Sequence, residues 1–317
     1  MRVVRTLLLV GLASLALAAP GRAAAVIRAG SEATVAVSVA TLWKAPDIAR
    51  PLDAPALASP ADPRAWSRNL ATTDLRVWLD SHVQTQALYG ERVAVLDRRG
   101  RWARIAVLDQ PDPQDPHGYP GWVPVAQLTA GSPSSGSVTA VVSARTAWLR
   151  TLDGRRLVEI SYATRLPFVR SQGDDLVVRA ADGRAVRVAA SEAQIQVRRL
   201  RPTGARVVAE ASRFLGVHYL WGGLSAWGYD CSGIVWAAYR RFGVTIPRDA
   251  DPQFRAGQPV ASNALRPGDL LFYGTQSYVH HVAIYAGGGR MLEAPDSAHR
   301  VRIVPVRWRG FAGARRF

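Results

Sequence analysis

Cysteine and lysine are nearly absent, with one of each in 317 residues. The single cysteine, Cys231, excludes an intramolecular disulfide framework and any metal site built on several thiolates. The single lysine, Lys44, stands beside 39 arginines, a skew we attribute to GC-rich coding. Acidic residues are scarce too. Only 24 Asp and Glu face 40 basic residues, for a formal net charge of +16. Such a charge suits an anionic partner, either nucleic acid or an anionic cell envelope. No basic helix and no aromatic–basic alternation occurs, and the arginines are scattered, which argues against nucleic acid. Beyond the first two dozen residues no apolar run approaches 18 residues, so no transmembrane segment is expected in the mature chain. What remains is a globular composition, 48% hydrophobic and 20% charged, long enough for two or three domains.

The N-terminus reads as a secretory signal over residues 1–24. Arg2 and Arg5 precede an apolar run at 7–18, and small residues follow at 19–25. Export to the periplasm, the cell wall or the medium is expected. It would bring the basic surface to anionic cell-envelope polymers.

Three regions follow. Residues 25–130 show short β-runs (34–39, 91–96, 102–108) separated by loops rich in Pro and Asp. The loops at 46–63 and 110–116 are long for a small β domain, so they are expected to cover something. A linker at 131–137, Gly131-Ser132-Pro133-Ser134-Ser135-Gly136-Ser137, marks a boundary. Residues 138–200 bring a second β set, with Asp153-Gly154 and Asp182-Gly183 as hairpin turns. Both sets read as small antiparallel barrels or sandwiches. From 203 to 317 the texture is α+β. Helices are predicted at 205–215 (Val208, Ala211, Phe214 and Leu215 on the apolar side) and 232–242. Strands are predicted at 269–273, 281–285, 290–293 and 301–306.

Cys231 lies where a loop rich in Gly and aromatics meets the second helix. Free amides and the helix dipole there favour a thiolate and could hold an oxyanion. His281 begins a strand in which Ala283, on the same face, leaves room for a helix. It can serve as base to a thiol. His280 is expected to point the other way, into the core. Glu293 sits on the next strand, across the Gly287-Gly288-Gly289 turn, and can orient the imidazole.

These residues occur in Tyr219-Leu220-Trp221-Gly222-Gly223, Asp230-Cys231-Ser232-Gly233, Ile246-Pro247-Arg248-Asp249-Ala250 with Gln253, Arg266-Pro267-Gly268-Asp269-Leu270-Leu271-Phe272 and His281-Val282-Ala283-Ile284-Tyr285. The set resembles the NlpC-type cell-wall cysteine peptidases, of papain-like fold. Residues 91–125 resemble bacterial Src-homology-3-like domains, and 138–200 do so more weakly. Two such β barrels before an NlpC-type domain are similar to γ-D-glutamyl-L-diamino acid endopeptidases. The resemblance implies Cys231 as nucleophile, His281 as base and Glu293 as third catalytic residue, where histidine is common. It implies Tyr119, Tyr219, Asp230, Ser232 and Asp249 as substrate-binding, with Tyr119 and Asp249 at a free N-terminal L-Ala. Peptidoglycan-derived peptides are the expected partners. No metal or organic cofactor is expected, because cysteine and histidine supply nucleophile and acid–base. Two other readings stay open: an endopeptidase or amidase on intact peptidoglycan, and a non-catalytic wall-binding protein.

Overall fold

The structure, a computed structural model, describes residues 26–113, 115–131 and 138–317. The expected export signal and all of the expected linker except Gly131 lie outside the described residues.

The first β unit is one antiparallel sheet in the order β3-β2-β6-β5-β4-β1-β7. Its strands are β1 (Glu32–Val35), β2 (Val39–Trp43), β3 (Val83–Leu88), β4 (Arg92–Arg99), β5 (Trp102–Val107), β6 (Tyr119–Pro124) and β7 (Leu128–Ala130). The run expected at 34–39 is therefore two strand ends. β1 pairs with β4 and β7, whereas β2 pairs with β3 and β6, so the backbone switches partners at 36–38. The long loop expected at 46–63 holds a short helix, α1 (Ala54–Leu57), and α2 (Pro63–Asn69) and α3 (Thr73–Val77) follow it. Asp62 caps α2 by accepting from the Ala65 amide at 2.9 Å, and Pro63 occupies the first helical position. These helices are too short to show a period. Their apolar side meets the sheet, where Trp66 shares a core with Trp43, Trp102, Trp122 and Leu220.

The second β unit is ordered β10-β9-β13-β12-β11-β8-β14. It comprises β8 (Thr139–Val142), β9 (Thr146–Arg150), β10 (Arg156–Ser161), β11 (Arg165–Gln172), β12 (Asp175–Arg179), β13 (Ala185–Ala189) and β14 (Ala193–Gln196). Val178 pairs with Val186 across the Asp182-Gly183 turn, whose glycine has φ +83°.

The third unit begins with α4 (Gly204–Ser212), the short ribbon β15 (Leu224–Ser225) and β16 (Gly228–Tyr229), α5 (Cys231–Arg240) and α6 (Ala250–Ala256). Its antiparallel sheet runs β17-β22-β18-β19-β20-β21. The strands are β17 (Gln258–Val260), β18 (Leu270–Gly274), β19 (Val279–Gly287), β20 (Arg290–Glu293), β21 (Arg302–Pro305) and β22 (Phe311–Arg316). Val207 and Ala211 form the buried face of α4, with Phe214 just beyond it, whereas of the predicted stripe Val208 is half-buried and Leu215 is exposed. Sequence periodicity missed α6, β17 and β22. In β22 arginines and a glycine break the apolar alternation, yet it pairs with both β17 and β18. Helix α5 is buried along its whole length. It lies in a core that also takes Val39 and Leu88 from the first unit and Tyr162 from the second. The three units are thus fused around the helix that carries the cysteine. Among the described residues no helix is long and apolar enough to cross a membrane.

Candidate active site

Cys231 is the first residue of α5 and is 9% exposed. The turn before it is held by Asp230, whose Oδ1 accepts the Gly233 amide at 2.6 Å. Gly233 has no alternative, because a Cβ there would come within 2.1 Å of the Gly223 carbonyl oxygen. The loop carrying Tyr219 and Trp221 can therefore press against the helix start. Arg248, with 0% exposure, fastens both. It donates to Asp230 at 2.6 and 3.0 Å, to Ser232 Oγ at 2.9 Å, and through Nε to Thr85 of the first β unit at 2.8 Å. Asp230 and Ser232 border the cavity in front of the cysteine. Their side-chain oxygens, however, are committed to Arg248, Gly233 and each other. The side chains of Asp230 and Ser232 thus build the helix N-terminus.

His281 lies on β19 with 7% exposure. Its Nε2 meets Glu293 Oε2 at 3.0 Å, which leaves Nδ1 for the sulfur. Glu293 is fully buried. Arg302 approaches its Oε1 at 3.0 Å, and Arg307 bridges both oxygens at 2.8 Å. Burial works against the Glu293 charge, but hydrogen bonds from His281 and Arg307 outweigh it and hold the carboxyl well below the usual range. Burial likewise works against the imidazolium. Hydrogen bonding and charge from Cys231 and Glu293 outweigh it and push the His281 pKa up to about 9.

A raised histidine pKa means that the protonated form is favoured below it and lost above it. The stability that the protonated His281 adds to the fold is therefore present in full below the ordinary histidine value and is lost as the pH rises through about 9. We predict an alkaline limb of kcat/KM near that pH. In Glu293→Gln the limb should move down toward the unperturbed value, roughly 6.5. A pH–rate profile of the two proteins checks this, and an unmoved limb would remove Glu293 from the account.

His280 departs from the sequence reading. It is exposed rather than in the core. Tyr273 pairs with His281 and Gly274 with Val279, so His280 is the extra residue of a β-bulge and turns outward.

The cavity at Cys231 has a volume of about 400 Å³ and is bordered by Tyr119, Tyr219, Trp221, Asp249 and His280. Tyr119, from β6, donates to Asp249 Oδ2 at 2.8 Å. Asp249 begins α6 without capping it. Its carboxylate turns into the cavity instead and keeps 42% of its side-chain surface open there. Burial pushes its pKa up, and the charge of Arg248 and the Tyr119 hydrogen bond counter this. Burial, then the Asp249 charge, pushes the Tyr119 hydroxyl up and keeps it a donor. Burial and the nearby Cys231 do the same for Tyr219, whose hydroxyl makes no hydrogen bond with the described residues. Sequence reasoning missed the supporting arginines. Arg248 stood in a quoted motif next to Asp249, whereas Arg302 and Arg307 lie outside every motif.

The NlpC/P60 family model matches residues 216–314. The chain is 36% identical to a γ-D-glutamyl-L-lysine dipeptidyl-peptidase of Bacillus cereus, over 90% of this chain and 91% of that one. This chain belongs to the NlpC/P60 family. It is a cysteine peptidase. A second NlpC/P60 relative, a γ-D-glutamyl-L-lysine dipeptidyl-peptidase of Bacillus subtilis, is 35% identical over 86% of this chain and 93% of its own. The crystal structure of a Bacillus cereus NlpC/P60 family protein superimposes with a TM-score of 0.83 at 34% identity, covering 90% of this chain and 99% of that one. Ahead of the NlpC/P60 domain, residues 79–128 match the bacterial dipeptidyl-peptidase Sh3 domain, and 142–195 match the YKFC SH3b2 domain. The architecture is two SH3b-type β domains followed by an α+β peptidase.

Proposed function

We propose that this peptidase hydrolyses the γ-D-glutamyl–diamino acid bond of murein stem peptides that carry a free N-terminal L-Ala. The observation that carries the reading is the Tyr119–Asp249 pair, 2.8 Å apart, in the same cavity as Cys231. A half-open carboxylate braced by a tyrosine suits an α-ammonium, and the cavity between it and the sulfur suits a short peptide. The names of the two Bacillus relatives support the same substrate class.

In the reaction, the Cys231 thiolate adds to the γ-carbonyl carbon. The oxyanion takes hydrogen bonds from the first-turn amides of α5 and the Tyr219 hydroxyl. The intermediate collapses by breaking the C–N bond, and His281 protonates the departing amine. Water, deprotonated by His281, then attacks the thioester carbonyl and releases the acid and the thiolate. Glu293 keeps the imidazole oriented throughout. The site of action would be outside the cytoplasm, after export through the N-terminal signal.

Free and N-acetylated L-Ala-γ-D-Glu-diamino acid peptides test this. Acetylation should cost about 100-fold in kcat/KM by leaving the Asp249 charge unpaired. Asp249→Asn should bring the two peptides close together. Equal cleavage of both by the native protein, or cleavage of polymeric peptidoglycan alone, would overturn the reading.

A further inference from the structure

A second cavity, of about 660 Å³, opens on the other side of the catalytic pair and is bordered by His281. Tyr278 and His280 border both cavities, so the two form one trough with the bulge of β19 as its sill. If the acyl half of the substrate lies toward Asp249, as the proposed function has it, the departing half must lie in this second cavity.

Its walls are cationic. Arg302, Arg307 and Arg309 line it, with Asp296 as the acidic lining residue. Arg302 and Arg307 already hold Glu293. Arg309 is exposed and makes no ion pair or side-chain hydrogen bond with the described residues. Asp296 keeps 57% of its side chain open and accepts from His299. The rim therefore presents an uncommitted guanidinium together with an accessible carboxylate.

A lysine side chain arriving here brings only an ammonium. It can meet Asp296 but adds a like charge beside Arg309. A diamino acid whose side chain ends in both an ammonium and a carboxylate satisfies both groups. We infer that the second cavity is the leaving-group subsite and that Arg309 selects diamino acids bearing a distal carboxylate, as diaminopimelate does, over lysine. This inference rests on the proposed function.

Three peptides of the form L-Ala-γ-D-Glu-X, with the backbone carboxyl terminus amidated, separate the possibilities. X is meso-diaminopimelate with its distal carboxylate free, the same residue with that carboxylate amidated, or L-lysine. The native protein should favour the free distal carboxylate over its amide by about tenfold in kcat/KM. Arg309→Gln should bring that ratio near one, and Arg309→Glu should invert it, with the amide and the lysine peptide both cleaved better than the free distal carboxylate. A native ratio near one, or a ratio that neither variant changes, overturns the assignment while the peptidase reading stands. A fourth peptide, with the backbone carboxylate free, covers the other source of the charge. If only that carboxylate gains from Arg309, the distal assignment falls. Failure of the native protein to cleave any of the four defeats the proposed function and this inference together.

Discussion

Cys231→Ala is expected to lower the release of L-Ala-γ-D-Glu from a murein tripeptide by about 10⁴- to 10⁶-fold. Adding His281→Ala to it should cost almost nothing more. The reason is mechanistic unity. The imidazolium near pKa 9 owes part of its charge to the sulfur, so neither group does its work without the other. The single variant should stay folded, because the helix cap, Asp230, is untouched. Fragment masses after incubation give the turnover, and thermal unfolding controls for the fold. Turnover within tenfold of the native rate in either variant would end the account of Cys231 as nucleophile. Full additivity of the two losses would instead show that they act in separate steps.

Arg248→Met should destabilise the protein by about 3–5 kcal/mol, the range for breaking a buried ion pair from one side. The methionine fills much of the volume but leaves Asp230 with its charge, its surroundings still dry and its best partner gone. Removing the charge as well, in Arg248→Met/Asp230→Asn, should recover part of the loss. Urea unfolding of the two proteins and of Asp230→Asn gives the cycle. The loss has a functional side. Arg248 donates to Ser232 and Thr85 as well, so it ties the cysteine's helix to the first β domain. A second buried link, Arg240 to Glu91 at 2.8 Å, joins the far end of α5 to that domain, and burial pushes the Glu91 pKa up to about 7. The cavity wall that carries Tyr119 should therefore shift with the arginine. Turnover should fall more steeply for free-N-terminus peptides than the fraction of folded protein accounts for. A cost under about 1 kcal/mol would mean that Asp230 finds another partner and that Arg248 is not the clasp.

The legible part of the site was local. Asp230-Cys231-Ser232-Gly233 marks a helix start because three of its positions each have one physical demand: a capping oxygen at Asp230, a small first residue at Cys231, and a glycine at Gly233 where another backbone closes in. The His281 strand and the Gly287-Gly288-Gly289 turn were legible for the same reason, since alternation and turn chemistry are properties of consecutive residues. Where the sequence misled, something distant intervened. His280 faces the trough because a bulge opposite Gly274 inserts one residue into the ladder, and alternation counted along one strand does not register its partner's slip. The helices between Ala54 and Val77 escaped notice because their stability comes from the Trp43, Trp102 and Trp122 surface beneath them rather than from their own period.

Motif, order and spacing thus determined the chemistry: a thiol at a helix start, an imidazole on a strand, a carboxylate one strand on, and two β domains ahead of them. Only the tertiary fold decided what that chemistry is aimed at. Tyr119 and Asp249 lie 130 positions apart and become a pair because the first β domain closes over the peptidase. Arg302 and Arg307 converge on Glu293 because the sheet brings its far edge to the histidine. Capping, alternation and turns act over a few bonds and can be read from neighbours. Electrostatic pairing across domains depends on distances that the polypeptide acquires only when its core, shared by all three units, has formed.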